Sequence, residues 1–243
     1  MKSTFVYLNG EFIPEDDAKI SVNDRGFLFA DGVYEVICSY DGDLFFPGEH
    51  VKRLKRSLEE IYIQYDVVDN FMYTGLRLLE KNNLMDGKAL IYIQITRGVY
   101  RRMHRFPEQT VTPTVLINTS PMSDISQEKQ FGINAILTPD IRWSRCDIKS
   151  VSLLPNILCN QKAIDNNAKE AIFVRDGVIT EGTHNNVFGV KDGILYTFPN
   201  SNYIFPGIIR DIVIILANNT NIKIMTEPIL EDKIYSFDEI FIT

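Results

Sequence analysis

The sequence has little of what metal sites, disulfide frameworks and membrane spans require. Its 243 residues include only three cysteines and three histidines, and neither set has the spacing of a zinc site. An odd number of cysteines, Cys38, Cys146 and Cys159, indicates reduced thiols in a cytoplasmic protein. No apolar run approaches the length of a membrane span, and the N-terminal residues are too polar for a secretory signal. We therefore expect no metal and no membrane association.

Positive charge is also scarce. The net charge is −7, spread along the chain, with 45% hydrophobic and 23% charged residues. This composition is ordinary for a globular protein, and the acidic balance argues against nucleic acid as a partner. The length fits one large domain or two small ones.

Turn dipeptides and helix starts alternate along the chain. Hairpin-type turns are predicted at Asn9-Gly10, Asp41-Gly42, Asp176-Gly177 and Asp192-Gly193, each between apolar runs. Helices are predicted to begin at Pro47 and after Pro206-Gly207. Hairpins mixed with helices in two halves predict an α+β fold. Linker composition at residues 120–126 divides an N-terminal domain, 1–119, from a C-terminal domain, 127–243.

Lys149 lies in an unusual segment of mixed charge. Residues 140–150 also contain two arginines, two aspartates and a tryptophan. Nearby cations disfavour the ammonium form of a lysine, and a free amine is what a Schiff base with an aldehyde requires. The alternative is a solvated lysine in a surface ion-pair cluster, which composition alone favours.

A second cationic segment, residues 97–107, follows an apolar strand. It contains four arginines and a histidine. The pair Arg102 and His104 can aim two donors at one carboxylate, so we predict a substrate-carboxylate site there. The alternative is a solvated basic loop, which we prefer for Arg101 and Arg105.

Other candidates are weaker when taken alone. Tyr34 at a strand start offers a hydroxyl to a cavity, or is an ordinary core tyrosine. Glu181 at a strand end can pair with a protonated ring nitrogen, or is a turn residue. A helix start at Pro206-Gly207 is a potential phosphate site, and Arg53 is a potential phosphate ligand or a surface ion pair. Together these groups are what pyridoxal-phosphate catalysis needs.

With these motifs the sequence resembles the fold-type IV pyridoxal-phosphate enzymes, and among them the bacterial D-amino acid aminotransferases. The resemblance covers nearly the whole chain and is densest in residues 24–36, 97–107, 140–154 and 180–189. It implies a two-domain α+β fold, with a small α/β N-terminal domain and a larger C-terminal pseudo-barrel. The Arg-x-His loop is the most discriminating part.

The resemblance implies roles in binding pyridoxal 5′-phosphate. Lys149 would form the Schiff base with the cofactor and move the proton between substrate and cofactor. Glu181 would keep the pyridine nitrogen protonated. Arg53 and the backbone N–H groups of Ile208 and Ile209 would bind the phosphate.

The resemblance also implies a substrate site and a partner. Tyr34 would grip the α-carboxylate with Arg102 and His104 of the other subunit of a homodimer, and thereby select D substrates. Arg142 would contact the phenolic oxygen of the cofactor. The expected reaction is amino transfer from a D-amino acid such as D-alanine to 2-oxoglutarate or pyruvate.

Three departures from the family pattern leave alternatives open. The sequence stops at Thr243, where family members continue through a further segment; Ile209 replaces a common threonine; and Thr183-His184-Asn185 replaces a serine-rich run. The alternatives are a non-catalytic or weakly cofactor-binding relative, an aminodeoxychorismate lyase and a branched-chain aminotransferase. The complete set of candidate residues favours an active D-amino acid aminotransferase.

Overall fold

The computed structural model describes residues 4–66 and 68–243. Residues 1–3 and 67, which belong to the predicted N-terminal domain, lie outside the described residues. The chain divides into two compact units, one made of 1–124 and 148–152 and the other of 125–147 and 153–243. Within the described residues, no helix is both long and apolar enough to cross a membrane.

The first unit is built on an antiparallel six-stranded sheet. Its strands are β1 (Phe5–Leu8), β2 (Glu11–Pro14), β3 (Gly32–Tyr40), β4 (Asp43–Leu44), β5 (Lys88–Thr96) and β6 (Thr114–Pro121), in the order β2-β1-β6-β5-β3-β4. The turn residues Asn9, Gly10, Asp41 and Gly42 all have positive φ, as tight hairpins require. The predicted hairpins are therefore present.

Helices α2 (Pro47–Glu60) and α3 (Phe71–Lys81) supply the apolar side chains that cover this sheet. Leu54 and Leu58 of α2 and Leu78 of α3 join buried residues of β3, β5 and β6 in a single core. Pro47 occupies the first position of α2, where its missing N–H costs no hydrogen bond.

Residues 148–152 form part of the first unit because they pair with β3. The Tyr34 N–H donates to the Lys149 carbonyl at 2.9 Å, and the Val151 N–H donates to the Gly32 carbonyl at 3.1 Å. Ser150 forms an antiparallel bridge with Val33. This pairing places Lys149 beside the start of β3.

The second unit has two four-stranded sheets and three helices. The strands are β7 (Ala135–Pro139), β8 (Glu170–Arg175), β9 (Val178–Gly182), β10 (Val187–Lys191), β11 (Ile194–Thr197), β12 (Ile224–Met225), β13 (Ile229–Leu230) and β14 (Glu239–Ile242). One sheet has the order β13-β9-β8-β7 and the other β12-β11-β10-β14. The helices are α4 (Ser126–Phe131), α5 (Leu154–Asp165) and α6 (Ile208–Asn219).

Two short helices differ from the sequence predictions. Helix α1 (Arg25–Phe29) was not predicted, and α4 begins inside the predicted linker, 120–126. Five or six residues are too few to show a helical period. The linker range also includes the end of β6, where Pro121 pairs with Ala89.

Candidate active site

Lys149 and Tyr34 lie together in the first unit. The Lys149 Nζ atom is 4.4 Å from the centre of the Tyr34 ring, and the ring stacks on Tyr92 at 5.7 Å. The Lys149 N–H points to the Ser57 hydroxyl at 3.4 Å. Backbone pairing and ring contact therefore hold the lysine amine against a tyrosine.

The buried carboxylate beside this pair, Glu35, is a residue that sequence reasoning missed. Glu35 is fully buried and accepts hydrogen bonds from Arg53 Nε at 2.9 Å and Nη2 at 2.6 Å. His50 Nδ1 lies 3.1 Å from Glu35 Oε1. A signal existed in the strand period, because Glu35 falls on the same face of β3 as the core residues Val33 and Ile37. Arg53, predicted to bind phosphate, is thus held by Glu35.

Glu35 stays ionised although it is buried. Burial alone would raise the pKa of its carboxyl group, but hydrogen bonds from His50 and Arg53 and the charges of Arg53 and Lys149 lower that pKa to about 2. The cluster of Lys149, Arg53 and His50 is therefore built around one fixed negative charge.

Replacing Glu35 by glutamine should make the acid-sensitive part of the stability disappear. The pKa of Glu35 is lower in the folded protein than in the unfolded chain. Ionised Glu35 therefore adds to the free energy of unfolding above the unfolded pKa of about 4.5, and this stabilisation is lost as pH falls through about 2. At neutral pH this stabilisation is about 3 kcal/mol, since a pKa change of one unit corresponds to about 1.4 kcal/mol.

Urea unfolding of wild type and Glu35→Gln between pH 7 and pH 3 measures the stabilisation that ionised Glu35 provides. The difference in the free energy of unfolding should be constant above about pH 5 and should narrow below about pH 4.5. Glu49→Gln, at an exposed position of α2, is the matched control. A gap that stays constant down to pH 3 would contradict the depressed pKa.

Glu181 is the centre of a second polar cluster, in the second unit. It is 3% exposed at the end of β9. Its Oε1 accepts from Arg142 at 2.5 Å, and its Oε2 accepts from the Asn186 side chain at 3.1 Å and from the Phe205 N–H at 2.8 Å. Burial raises the pKa of Glu181, while Arg142 and the Phe205 N–H act in the opposite direction.

Arg142 joins two carboxylates. Besides Glu181, its Nε and Nη2 atoms donate to the two oxygens of Asp140, both at 2.9 Å. Burial works against the ionised form of Asp140, but the Arg142 contacts keep the pKa of that carboxyl below its ordinary value. Arg142 thus orients Glu181; its predicted contact with a phenolic oxygen stays a prediction.

The N-terminus of α6 has the features of an anion site. Gly207 is the N-cap and no side chain of the described residues caps the helix, so the N–H groups of Ile208 and Ile209 have no intrahelical acceptor. Arg210, in the first turn, is 2% exposed, and its Nε lacks a hydrogen-bond partner among the described residues. Free helix amides fit an anionic group such as a phosphate, and a buried guanidinium N–H in the same helical turn, unpaired among the described residues, adds an unused donor.

Asn186 connects the carboxylate to this helix start, and sequence reasoning missed it. Its Nδ2 atom donates both to Glu181 and, at 2.9 Å, to the Phe205 carbonyl. A Cβ atom on Gly207 would collide with the Asn186 side-chain oxygen, so any larger residue there would have to displace the Asn186 carboxamide. The ring-nitrogen candidate and the phosphate candidate are therefore joined by hydrogen bonds within one unit.

Arg102 and His104 meet at one aromatic ring in the first unit. The Arg102 guanidinium carbon is 5.3 Å from the centre of the Phe29 ring, and the His104 ring centre is 5.6 Å from it. Both residues are exposed. The arrangement leaves their polar atoms accessible to a carboxylate.

Comparison with known proteins identifies the family. The family model described as amino-transferase class IV matches residues 32–243. The D-alanine aminotransferase of Staphylococcus epidermidis is 42% identical over 241 residues, which cover 99% of this chain and 85% of that protein.

Two solved structures share the fold. The branched-chain amino acid aminotransferase of Escherichia coli has a TM-score of 0.89 at 26% identity and covers 100% of this chain and 83% of its own. The branched-chain aminotransferase of the archaeon Thermoproteus uzoniensis, solved with norvaline, has a TM-score of 0.86 at 24% identity, over 99% of this chain and 83% of its own. Since the family model spans most of the sequence and the curated relative nearly all of it, this chain belongs to the class IV amino-transferases.

Proposed function

We propose that this chain transfers amino groups between D-amino acids, such as D-alanine, and 2-oxo acids, such as 2-oxoglutarate, with pyridoxal 5′-phosphate as its cofactor. The single observation that carries the proposal is the lysine amine held on the Tyr34 ring beside the buried, ionised Glu35. That arrangement occurs in a class IV chain whose S. epidermidis relative is a D-alanine aminotransferase.

The residues present fit the cofactor. Glu181, a buried carboxylate with three hydrogen-bond donors around it, would pair with the protonated pyridine nitrogen. The amides of Ile208 and Ile209 and the guanidinium of Arg53 would bind the phosphate. The Arg210 Nε atom, in the first turn of α6, has no hydrogen-bond partner among the described residues.

When bound, pyridoxal phosphate supplies an aldehyde and a ring that accepts negative charge from the substrate α-carbon. Lys149 would hold the cofactor through Nζ, and the same amine would serve as the base that moves the α-proton of the substrate. A lysine suits this general acid–base role because neighbouring groups tune its proton affinity. Tyr34 orients the lysine through the ring contact and offers its hydroxyl to the α-carboxylate.

The active form is a homodimer that acts in the cytoplasm. Arg102 and His104 of one subunit bind the α-carboxylate in the site of the other, which fixes the face of the α-carbon that Lys149 meets. Exposed apolar side chains of the same unit, Phe27 at 76% and Phe106 at 51%, support a protein contact there. The three cysteines, all unpaired, are consistent with a reducing compartment.

A visible absorption spectrum of the protein with added pyridoxal phosphate tests this function. We expect a yellow band that D-alanine bleaches and that L-alanine leaves in place. Exposed lysines also react with the aldehyde, so the band is read on protein freed of excess cofactor. Failure to form any band would favour the non-catalytic relative, and equal bleaching by both enantiomers would refute the D preference.

A further inference from the structure

The cationic loop, residues 97–107, is held by a buried ionic network that the reaction itself does not use. Asp31 accepts from Arg25 Nε at 2.7 Å and from Arg97 Nε at 2.8 Å and Nη2 at 2.9 Å. Arg25 is 3% exposed and Arg97 is 8% exposed. Neither arginine has the accessibility to meet a substrate.

Arg25 also binds the backbone of the loop. Its Nη1 atom donates to the Met103 carbonyl at 2.7 Å and lies 3.5 Å from the Arg105 carbonyl. These two residues flank His104. One buried guanidinium therefore bonds both to a fixed carboxylate and to the chain on each side of a proposed substrate ligand.

The same short helix supplies a platform for the loop side chains. Phe29, one turn after Arg25, contacts the Arg25 guanidinium at 4.9 Å as well as Arg102 and His104. Cation–π contacts of this kind favour a defined position of an exposed arginine over free rotation.

The start of the loop is equally constrained. Gly98 has φ +93°, and a Cβ atom there would collide with the Thr112 backbone. The Arg25 N–H donates to the Gly98 carbonyl at 2.9 Å. The backbone is thus tied to α1 both where the loop begins and around His104.

We propose that Arg25 is a positioning residue for substrate recognition, which acts with Phe29 to hold Arg102 and His104 in the arrangement that captures the substrate carboxylate. The inference rests on the proposed carboxylate role of Arg102 and His104. If the loop were not held in place, Arg102 and His104 would lose conformational entropy each time a substrate bound. The contacts from Arg25 and Phe29 order the two side chains before the substrate arrives, so this entropic cost does not weaken binding.

The test compares Arg25→Met and Phe29→Leu with wild type, using D-alanine and the cofactor-loaded protein. Arg25→Met keeps the bulk of the side chain and removes every donor, while Asp31 retains Arg97. We expect KM for D-alanine to rise roughly 10- to 100-fold in Arg25→Met and somewhat less in Phe29→Leu. The cofactor absorption band and its affinity should not change.

Two further readouts separate positioning from a general loss of stability. In the background Arg102→Ala/His104→Ala, adding Arg25→Met should change KM little, because the two side chains that Arg25 positions are already absent. Trypsin should cut the loop after Arg101, Arg102 or Arg105, all exposed, faster in Arg25→Met than in wild type. Arg105→Gln is the matched control for KM, because the Arg105 side chain is 65% exposed and forms an ion pair with Glu108.

The outcomes distinguish the two proposals. If Arg102→Ala leaves KM unchanged, the carboxylate role itself fails. If Arg102→Ala raises KM but Arg25→Met and Phe29→Leu do not, or if Arg25→Met raises KM as much in the Arg102→Ala/His104→Ala background as in wild type, the positioning role of Arg25 is wrong. Should Arg25→Met fail to fold, Phe29→Leu, which leaves the buried ionic network intact, decides the question.

Discussion

Replacing Lys149 by alanine should lower the rate of amino transfer by about 10⁴-fold, the upper range for removal of a positioned general base. The reason is that Lys149 Nζ lies against the Tyr34 ring, and proton transfer at the α-carbon needs a base in the site. The yellow band of the cofactor-loaded protein should be lost with it. Turnover of D-alanine and the visible spectrum of the purified variant measure both effects.

The fold should survive this change. Lys149 is held to β3 through its backbone, and its N–H contact to Ser57 does not involve the side chain. The far-ultraviolet circular dichroism spectrum and the melting temperature should therefore match those of Lys52→Ala, a control at an exposed position of α2. A Lys149→Ala protein that retains band and turnover would remove Lys149 from the mechanism.

The same variant tests the dimer. If Arg102 serves the site of the other subunit, mixing Lys149→Ala with Arg102→Ala chains and allowing exchange should restore activity at low D-alanine concentration. Random exchange between two subunits would recover about a quarter of the wild-type rate. Mixtures that stay as inactive as their components would argue against a shared site.

Replacing Glu181 by glutamine should lower turnover by roughly 100- to 1,000-fold, which is typical for the loss of one preorganised electrostatic partner in a buried site. Glutamine keeps the shape and accepts the Phe205 N–H, but it removes the charge that would hold a ring nitrogen in its protonated form. Steady-state kinetics with D-alanine measure the effect, and Glu181→Asp, which keeps the charge with a shorter reach, should retain more activity.

Stability needs a separate control for this change. Removing one member of a buried ion pair can cost about 3–5 kcal/mol, but Arg142 keeps both contacts to Asp140, so the loss should be smaller. Glu239→Gln, at an exposed position of β14, provides the reference melting temperature. A folded Glu181→Gln protein with wild-type turnover would contradict the assigned role.

Local signals were enough for the hairpins. Asn-Gly and Asp-Gly between apolar runs specify turns with positive φ, and the described residues adopt it, for example Asn9 at 50° and Gly10 at 107°. Residue types make the mixed-charge segment around Lys149 conspicuous, but the role proposed for this lysine depends on the resemblance to a known family.

Residues that act through distant partners could not be found in this way. Glu35 is meaningful only once His50 and Arg53, 15 and 18 residues away on α2, are known to face it. Arg25 reaches the Met103 carbonyl 78 residues further along the chain. Short helices such as α1 were missed because five residues carry no periodic pattern, and capping by a single aspartate, Asp24, is a weak signal without the fold.

Residues 148–152 complete the first unit but are separated from its other residues by 125–147 of the second. During synthesis the ribosome therefore releases strands β1 to β6 well before the segment that pairs with the edge of β3. Until then the start of β3 has exposed backbone groups, which are a hazard for pairing with other nascent chains. A fragment ending at residue 124 should thus be prone to aggregation as well as lacking Lys149, and synthesis through residue 152 is the step at which Lys149 and the partner of the exposed β3 backbone are acquired together.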